Sequence, residues 1–305
     1  MSISSPAVRQ ESGGFSAFDY GLYSITVLAW GCSWIAMKGQ VETVSPEVSV
    51  FWRFVLAAMV MMIWARLRGY NLAFPLKDHV RFAGLGALMF STNFTLFYYG
   101  SSYLPSGLLA VVFSTASIFN LFLGLILFGQ RPHKIALTAG VLGFAGVGLM
   151  FLPQVTGAEF NHDALVGLAM CVGGTLSFCL GNMLSADTQK KGIAVTPATA
   201  WGMVYGTAFL GIFCLARGRS FEVEWSATYL FSLTYLAIVS SVIAFASYLT
   251  LLGRIGSARA GYATVLFPVI ALSLSTIFEG YHWTPYAAAG LVFVLCGNAL
   301  MLRAR

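Results

Sequence analysis

The chain has 305 residues, of which 58% are hydrophobic and 9% are charged, and its mean hydropathy is +0.80. Soluble domains carry roughly 25% charged residues, so this composition excludes a soluble globular protein and predicts an integral membrane protein. The formal net charge of +6 does not indicate nucleic acid as a partner, because the basic residues lie in short segments between apolar runs. The five cysteines fall inside apolar runs without metal-ligand spacing, so no metal site, cofactor or disulfide is predicted.

The first 18 residues are polar, lack the features of a signal peptide and are predicted to form a cytoplasmic tail. Several of the apolar runs that follow begin with proline at the first turn, where its missing N–H is not needed. Each run is close to the ~17 to 25 residues that a spanning helix requires. The predicted fold class is an all-α membrane protein with ten transmembrane helices, at approximately 20–37, 46–65, 80–101, 105–129, 132–152, 163–185, 196–216, 226–252, 257–279 and 284–302.

The basic residues predict the orientation of these helices. If the N-terminus is cytoplasmic, 13 of the 17 Lys and Arg residues lie in cytoplasmic tails and loops. Only Lys38, Arg217 and Arg219 lie outside, and Arg53 lies within a helix. By the positive-inside rule, both termini are predicted to be cytoplasmic, and the chain is predicted to be a multi-pass protein of the bacterial inner membrane.

The two halves of the chain, 1–153 and 154–305, correspond to each other. A shift of 151 residues aligns the apolar stretch 105–132 with 256–283. The same shift superimposes three pairs of prolines and glycines: Pro46 on Pro197, Gly129 on Gly280, and Gly146 on Gly297. Because each half holds an odd number of predicted helices, the second half enters the membrane from the opposite side. The sequence therefore predicts two inverted five-helix repeats, an architecture that favours a transporter with a site near the midplane.

Two stretches carry a resemblance to a known family. LAWGCSWIAMK, from Leu28 to Lys38, and SPEVSVFWRF, from Ser45 to Phe54, are similar to the opening of an EamA-type repeat. The stretch 105–132, with its continuation through Gly140 and Gly146, resembles the fourth and fifth helices of that repeat. The chain thus resembles the ten-helix EamA-type exporters of the drug/metabolite transporter superfamily over nearly its whole length. The aromatic content adds a similarity to aromatic amino-acid exporters within it.

The chain departs from the family pattern in the fourth helix of each half. The second half keeps the usual mid-helix proline as Pro268, whereas the first half has Ser117 at the corresponding position. We therefore expect the ninth helix to be more kinked than the fourth. The usual acidic residue at the end of this helix is Gln130 in the first half, and Glu279 stands two positions early in the second.

Polar side chains inside the predicted helices are the candidates for function, because burying them at membrane depth is costly. Arg53 is the only full charge well within a helix, seven residues past Pro46. At ~1.5 Å per residue it lies roughly 10 Å deep. Its side chain either snorkels outward or pairs with Glu42 or Glu47, or its guanidinium holds a substrate carboxylate or an inter-helix carbonyl cluster.

Other polar and aromatic side chains either line a cavity or only join neighbouring helices. Ser33–Trp34 and Ser177–Phe178 occupy matching places in the two halves, and Tyr248 aligns with Phe97. Pro268 is the predicted helix kink. The predicted substrate-cavity residues are Ser33, Trp34, Thr92, Asn93, Phe97, Tyr99, Ser114, Ser177, Phe178 and Tyr248.

The predicted function is export of small metabolites, above all aromatic or other apolar amino acids, by alternating access through a central cavity. All 11 acidic residues and all four histidines lie in tails, loops or at helix ends. Facilitated or exchange transport is therefore expected, without proton coupling through a buried carboxylate. No constellation indicates an enzyme. The alternatives are export of drugs or other small metabolites, and a membrane scaffold without transport. The expected partners are a small-molecule substrate and the lipid bilayer, and the chain is expected to be a monomer.

Overall fold

The structure is a computed structural model that describes residues 16–41, 44–129, 134–156, 161–248, 250–251 and 263–303. Every regular element within these ranges is helical. In chain order the helices are α1 (Ala17–Val41), α2 (Pro46–Leu67), α3 (Leu76–Leu85, Gly86–Thr92 and Asn93–Gly100), α4 (Ser106–Ser114 and Ala116–Phe128), α5 (Lys134–Thr156), α6 (His162–Lys190), α7 (Val195–Ala216), α8 (Ala227–Thr234 and Tyr235–Ile243, continuing through Tyr248), α9 (Ala263–Phe278) and α10 (Pro285–Arg303).

Length and composition identify membrane-crossing helices among these. In the described part of the chain, five helices are long and apolar enough to cross a bilayer: Pro46–Leu67, Ser106–Leu127, His162–Lys190, Val195–Ala216 and Ala227–Tyr248. Shorter apolar stretches occur in three others: Leu137–Pro153, Leu266–Phe278 and Pro285–Leu300. A helix pairs its backbone N–H and C=O groups internally, whereas lipid offers these groups no hydrogen-bond partners. The prediction of an all-α membrane protein is therefore confirmed.

α3 and α8 each contain a π-helical segment, Gly86–Thr92 and Tyr235–Ile243. A shift of 151 residues carries the first segment onto 237–243, within the second. In α8 the Ser241 hydroxyl donates to the Leu236 carbonyl, five residues earlier, at 2.9 Å. Short π-helical segments occur frequently at functional sites, and these two occupy corresponding positions in the two halves.

The main helix contacts join one half of the chain to the other. α5 packs along α10, α2 along α7, and the first segment of α4 along α9. α1 packs on α8 and α9, while α6 packs on α3 and α4. The 151-residue shift relates α1 to α6, α3 to α8 and α4 to α9. The contacts of α1 with α8 and α9 therefore correspond to the contacts of α6 with α3 and α4, with the halves exchanged.

The contact between α5 and α10 depends on glycine. A Cβ atom added to Gly146 would lie 2.6 Å from the Gly290 carbonyl oxygen. A Cβ atom added to Gly297 would lie 2.7 Å from the Ala139 carbonyl oxygen. The 151-residue shift carries Gly146 onto Gly297 and Ala139 onto Gly290, so the two contacts correspond to each other with the halves exchanged. Small residues let the two backbones approach this closely, as in membrane helix pairs generally.

α4 is interrupted at Thr115. The hydroxyls of Ser114 and Thr115 donate to the carbonyls three residues earlier, at 2.7 and 2.6 Å, and such back-bonding bends helices. Asn298 of α10 bridges the interruption, since its Nδ2 donates to Ser114 Oγ at 3.2 Å and its Oδ1 accepts from Ser117 Oγ at 2.8 Å. Over its described residues α9 runs through Pro268 as one helix. Among the described residues of α4 and α9, the interruption therefore lies in the fourth helix, whereas the sequence predicts the stronger kink in the ninth. Hydroxyl groups, not a proline, are found at this interruption.

Candidate functional site

A cavity of about 60 Å³ lies between helices of both halves. Small-molecule sites typically enclose ~300 to 1,000 Å³, so lining side chains or helices must move before a metabolite fits. The lining residues come from α1, α2, α3, α4, α6, α8 and α9: Trp30, Ser33, Trp34, Met37, Arg53, Asn93, Phe94, Phe97, Phe113, Phe178, Ser240, Phe245 and Phe267.

The structure brings six of the sequence-predicted residues together around this cavity: Ser33, Trp34, Arg53, Asn93, Phe97 and Phe178. Asn93 also joins two helices, since its Nδ2 donates to the Gly174 carbonyl of α6 at 2.8 Å. The Ser33 hydroxyl instead donates within its own helix, to the Trp30 carbonyl at 2.7 Å. Asn93 is therefore both a cavity-lining residue and a helix-to-helix bond, whereas Ser33 lines the cavity without joining a second helix through this bond.

The remaining predicted residues lie outside the cavity lining. Thr92 is exposed on α3. Tyr99 donates its hydroxyl to Glu47 Oε2 at 2.8 Å, and Ser177 donates to the Leu88 carbonyl at 2.8 Å. Tyr248 packs against the lining residue Trp30, with 5.1 Å between ring centroids. Ser114 is engaged at the interruption of α4, and Pro268 directly follows the lining residue Phe267.

Seven lining residues were not among the sequence predictions: Trp30, Met37, Phe94, Phe113, Ser240, Phe245 and Phe267. The repeat contains a signal for two of them, because the 151-residue shift pairs Phe94 with Phe245. Trp30, Met37, Phe113 and Phe267 stand in largely apolar runs, where the local sequence does not distinguish a side chain that faces a cavity from one that faces lipid.

Five rings form what we call the aromatic wall: Trp34, Phe97, Phe113, Phe178 and Phe267. The Trp34 ring centroid lies 5.2 Å from that of Phe97, 5.6 Å from that of Phe113 and 6.3 Å from that of Phe267. Phe113 in turn lies 4.9 Å from Phe178. These spacings are those of favourable aromatic pairs, so the wall presents ring edges and faces to a planar apolar group.

Arg53 supplies the positive charge of the cavity, and it is only 3% exposed. Its Nε and Nη2 donate to Ser241 Oγ at 3.2 and 3.1 Å, and Nη2 also donates to Ser240 Oγ at 3.4 Å. Nη1 donates to the Tyr98 hydroxyl at 3.4 Å. The guanidinium carbon lies 4.4 Å from the centroid of the Phe94 ring, within cation–π range.

All of these partners of Arg53 are neutral. The ion pairs among the described residues engage the carboxylates elsewhere: Glu47 with Arg219 at 2.7 Å, Asp187 with Arg81 at 2.6 Å, and Glu279 with Lys38 at 4.0 Å. Glu47, a partner considered for Arg53 from the sequence, is thus paired with Arg219, and Glu42 lies outside the described residues. A buried charge is costly when it has no counter-ion, and the described residues supply none to Arg53, so an anion bound in the cavity would stabilise this charge.

Charged groups also join the helices near their ends. Glu279, directly after α9, accepts hydrogen bonds from the Ser106 N–H at 2.9 Å and from the Ser106 hydroxyl at the start of α4. Lys38 of α1 lies 4.0 Å from Glu279 and donates to the Ser101 carbonyl. We call Lys38, Glu279, Ser106 and Ser101 the Lys38–Glu279 cluster. In the loop after α7, the hydrogen bond to Glu47 raises the pKa of Arg219 above its ordinary value.

No group of three or more His, Cys, Asp or Glu side chains in the described ranges is arranged to hold a metal ion. The polar chemistry of the cavity is instead that of hydrogen-bond donors. The guanidinium of Arg53, the indole of Trp34 and the amide of Asn93 all border it. Together with the aromatic wall, they suit an organic molecule that carries both an anionic group and an apolar body.

Comparison with known proteins gives the same class of protein. The EamA-like transporter family matches the chain twice, over residues 20–152 and 161–303. Protein PagO of Salmonella typhimurium is 24% identical over 93% of this chain and 92% of its own length. A probable amino-acid metabolite efflux pump of Escherichia coli is 24% identical over 92% of this chain and 93% of its own length.

A solved crystal structure has the same fold, with a TM-score of 0.68 at 15% sequence identity, and it covers 95% of this chain and 99% of its own. The family matches account for nearly all of the described residues, and they confirm the resemblance carried by the motifs in α1, α2 and α4. The chain therefore belongs to the EamA-like transporter family.

Proposed function

We propose that the protein exports small metabolites with a carboxylate and an apolar or aromatic body, aromatic and apolar amino acids foremost among them, through the cavity around Arg53. The observation that carries this proposal is a buried guanidinium beside the aromatic wall that has no counter-ion among the described residues. A carboxylate would accept two parallel hydrogen bonds from the guanidinium, and the apolar body would pack against the rings. The name of the Escherichia coli relative, a probable amino-acid metabolite efflux pump, supports this substrate class.

The transport mechanism in this proposal is alternating access by two inverted repeats. Residues 1–153 and 154–305 each contribute five membrane-spanning helices, and both termini are cytoplasmic. Three observations support this organisation: the family matches each half separately, the helix contacts recur with the halves exchanged, and the π-helical segments correspond. Such repeats hold a site near the midplane and expose it to either side in turn.

The closed end of the cavity would be the end that bears the Lys38–Glu279 cluster. This cluster joins α1, α9 and the start of α4, so its contacts must break before these helices separate. At the other end, the second segment of α4 packs on α6. By the distribution of basic residues, the cluster faces the outside, and the state described is closed toward the outside.

Energy coupling follows from the cavity chemistry. None of the residues that line the cavity is acidic or a histidine. Transport in this proposal is therefore driven by the substrate gradient or by exchange, and it moves no proton through a buried carboxylate.

The test is counterflow in proteoliposomes that contain the purified full-length protein, with labelled phenylalanine, tyrosine, leucine, a sugar and a cationic drug. We expect accumulation of the apolar and aromatic amino acids and no accumulation of the sugar or the cation, which the positive cavity disfavours. Flux of the cationic drug alone would support the drug-export alternative. Absence of flux for every compound, with the protein folded, would support a non-transporting scaffold.

A further inference from the structure

Trp34 carries a second hydrogen-bond donor at the cavity. Its ring is the centre of the aromatic wall, the residue is 9% exposed, and its indole nitrogen is buried without a hydrogen-bond partner among the described residues. The neighbouring Trp30 differs, since its indole N–H donates to the Ser240 carbonyl at 3.2 Å. Buried donors are nearly always paired in folded proteins, so an unpaired one beside a cavity indicates a partner that arrives with the ligand.

Among the described residues, the cavity has no comparable group for a positive charge. Apart from Arg53, its polar lining consists of Ser33, Asn93 and Ser240 and the two indoles. The Ser33 and Asn93 groups donate to backbone carbonyls, and the Ser240 hydroxyl accepts from Arg53. An α-ammonium group bound there would meet only neutral oxygens. It would also lie a short distance from the Arg53 guanidinium, whose positive charge no carboxylate in the described residues offsets.

We propose that the cavity selects ligands with a net negative charge. An aryl or other apolar monocarboxylate without an α-ammonium group then binds more tightly than the zwitterionic amino acid of the same skeleton. Trp34 donates a second hydrogen bond to the ligand. This inference rests on the proposed function. It narrows the substrate class by charge, because the carboxylate of either compound reaches Arg53 but only the zwitterion places a cation near the guanidinium. Like charges repel most strongly where water is excluded.

Three probes with the same phenyl ring separate the possibilities: 3-phenylpropanoate, L-phenylalanine and phenethylamine, which carry net charges of −1, 0 and +1 at neutral pH. The measurement is isothermal titration calorimetry on the purified full-length protein in detergent. We expect 3-phenylpropanoate to bind at least about tenfold more tightly than phenylalanine, and phenethylamine not to bind, which is the order that an unpaired buried cation imposes.

The role of Trp34 has a matched control in the chain. Trp52 also has a buried, unpartnered indole nitrogen, but it does not line the cavity. Trp34→Phe keeps a ring and removes the donor, so we expect affinity for 3-phenylpropanoate to fall about threefold to tenfold, as for one hydrogen bond to a charged group. Trp52→Phe should leave that affinity unchanged. Each substitution also makes a packed ring smaller, so the affinities are compared between variants whose melting temperatures show that they are folded.

The outcomes distinguish this inference from the proposed function. If phenylalanine binds as tightly as 3-phenylpropanoate or more tightly, the anion selectivity is wrong while the carboxylate transporter stands. If phenethylamine binds best, or if none of the three probes binds to folded protein, both fail. Equal loss of affinity in Trp34→Phe and Trp52→Phe would overturn the donor role of Trp34.

Discussion

Arg53 shows how a single residue sets the character of the cavity. Its guanidinium contacts two serine hydroxyls, a tyrosine hydroxyl and a phenyl ring, so hydrogen bonds hold it in place while no described carboxylate compensates its charge. Arginine suits this position because its planar fork is always charged and binds carboxylates through two parallel bonds. The residue is thus oriented before the ligand arrives, which lowers the entropy cost of binding.

Replacement of Arg53 tests this role. Arg53→Gln removes the charge, and we expect affinity for the transported carboxylate to fall by more than about tenfold, or ~1.4 kcal/mol. Arg53→Lys keeps the charge without the fork, so we expect a smaller loss. Affinity is measured by the competition of an unlabelled carboxylate with a labelled one for binding to the purified variants.

Arg68 provides the control, because it is exposed, lies over the Trp64 ring at 4.9 Å and is not among the residues that line the cavity. Arg68→Gln should bind as the natural protein does. Unchanged affinity in a folded Arg53→Gln variant would refute the carboxylate site.

Sequence reasoning found Arg53 because one charge in an apolar run is conspicuous, but it did not find the residue's surroundings. Glu47 was the nearest candidate partner along the chain, yet in the structure it pairs with Arg219, which lies 172 residues further on. Ser240 and Ser241 reach the guanidinium from α8, and only the folded chain brings them there. The spacing of residues along one segment does not predict which residues of the other half will contact it.

At the scale of helices, α4 is the element whose geometry differs most from expectation. Ser114 and Thr115 donate to carbonyls three residues earlier, and Asn298 of α10 joins the two segments. Hydropathy predicts one apolar run here, because hydroxyl residues scarcely change it. Whether a serine bonds its own helix or another depends on packing, so the interruption was not predictable from the run alone.

Asn298→Leu should therefore destabilise the protein. The substitution removes the acceptor for Ser117 Oγ and the donor to Ser114 Oγ, both at a position that is 1% exposed. We expect a loss of about 1 to 3 kcal/mol in the free energy of unfolding, as for a buried hydrogen-bonded group. Thermal or denaturant unfolding of the purified protein measures it. Ser117→Ala removes one of the two bonds and should cost less; a larger cost than that of Asn298→Leu would contradict the bridging role.

The Lys38–Glu279 cluster is the element-scale candidate for a gate. Glu279→Gln removes the charge that pairs with Lys38 and that lies at the N-terminal end of α4, where a carboxylate is favourable. We expect the outward-closed state to be less populated. A cysteine at the cavity residue Met37, in a protein without its natural cysteines, should then react faster with a membrane-impermeant maleimide added from outside.

Glu222→Gln is the control for this measurement, since Glu222 is exposed and accepts from the neighbouring Ser220. It should leave the labelling rate unchanged. Equal rates in the two variants, or slower labelling in Glu279→Gln, would exclude the cluster as a gate.

At the scale of the whole molecule, the inverted repeat predicts opposite locations for corresponding loops. Asn71, in the loop after α2, should be cytoplasmic, and Ser220, in the corresponding loop after α7, should be external. Single cysteines at these exposed positions, in a background without the five natural cysteines, should be labelled by an impermeant maleimide from opposite sides of the membrane. Labelling of both from the same side would contradict the inversion.

The correspondence between the halves is visible in the sequence partly because close helix packing requires glycine at matching positions. Gly146 and Gly297 correspond, and each faces a backbone carbonyl of the partner helix, where no side chain fits. The cavity was less predictable, because its lining is assembled from one to four residues on each of seven helices. Their convergence is a property of the packed bundle rather than of any one segment.

The most direct test of the account is the position of a bound ligand. Crystals of the full-length protein with 4-bromophenylalanine would locate the bromine by its anomalous scattering. We predict the carboxylate within hydrogen-bond distance of the Arg53 guanidinium and the bromine beside Phe113 and Phe267 in the aromatic wall. A ligand bound outside this cavity, or bound in it with the carboxylate turned away from Arg53, would contradict the central claim.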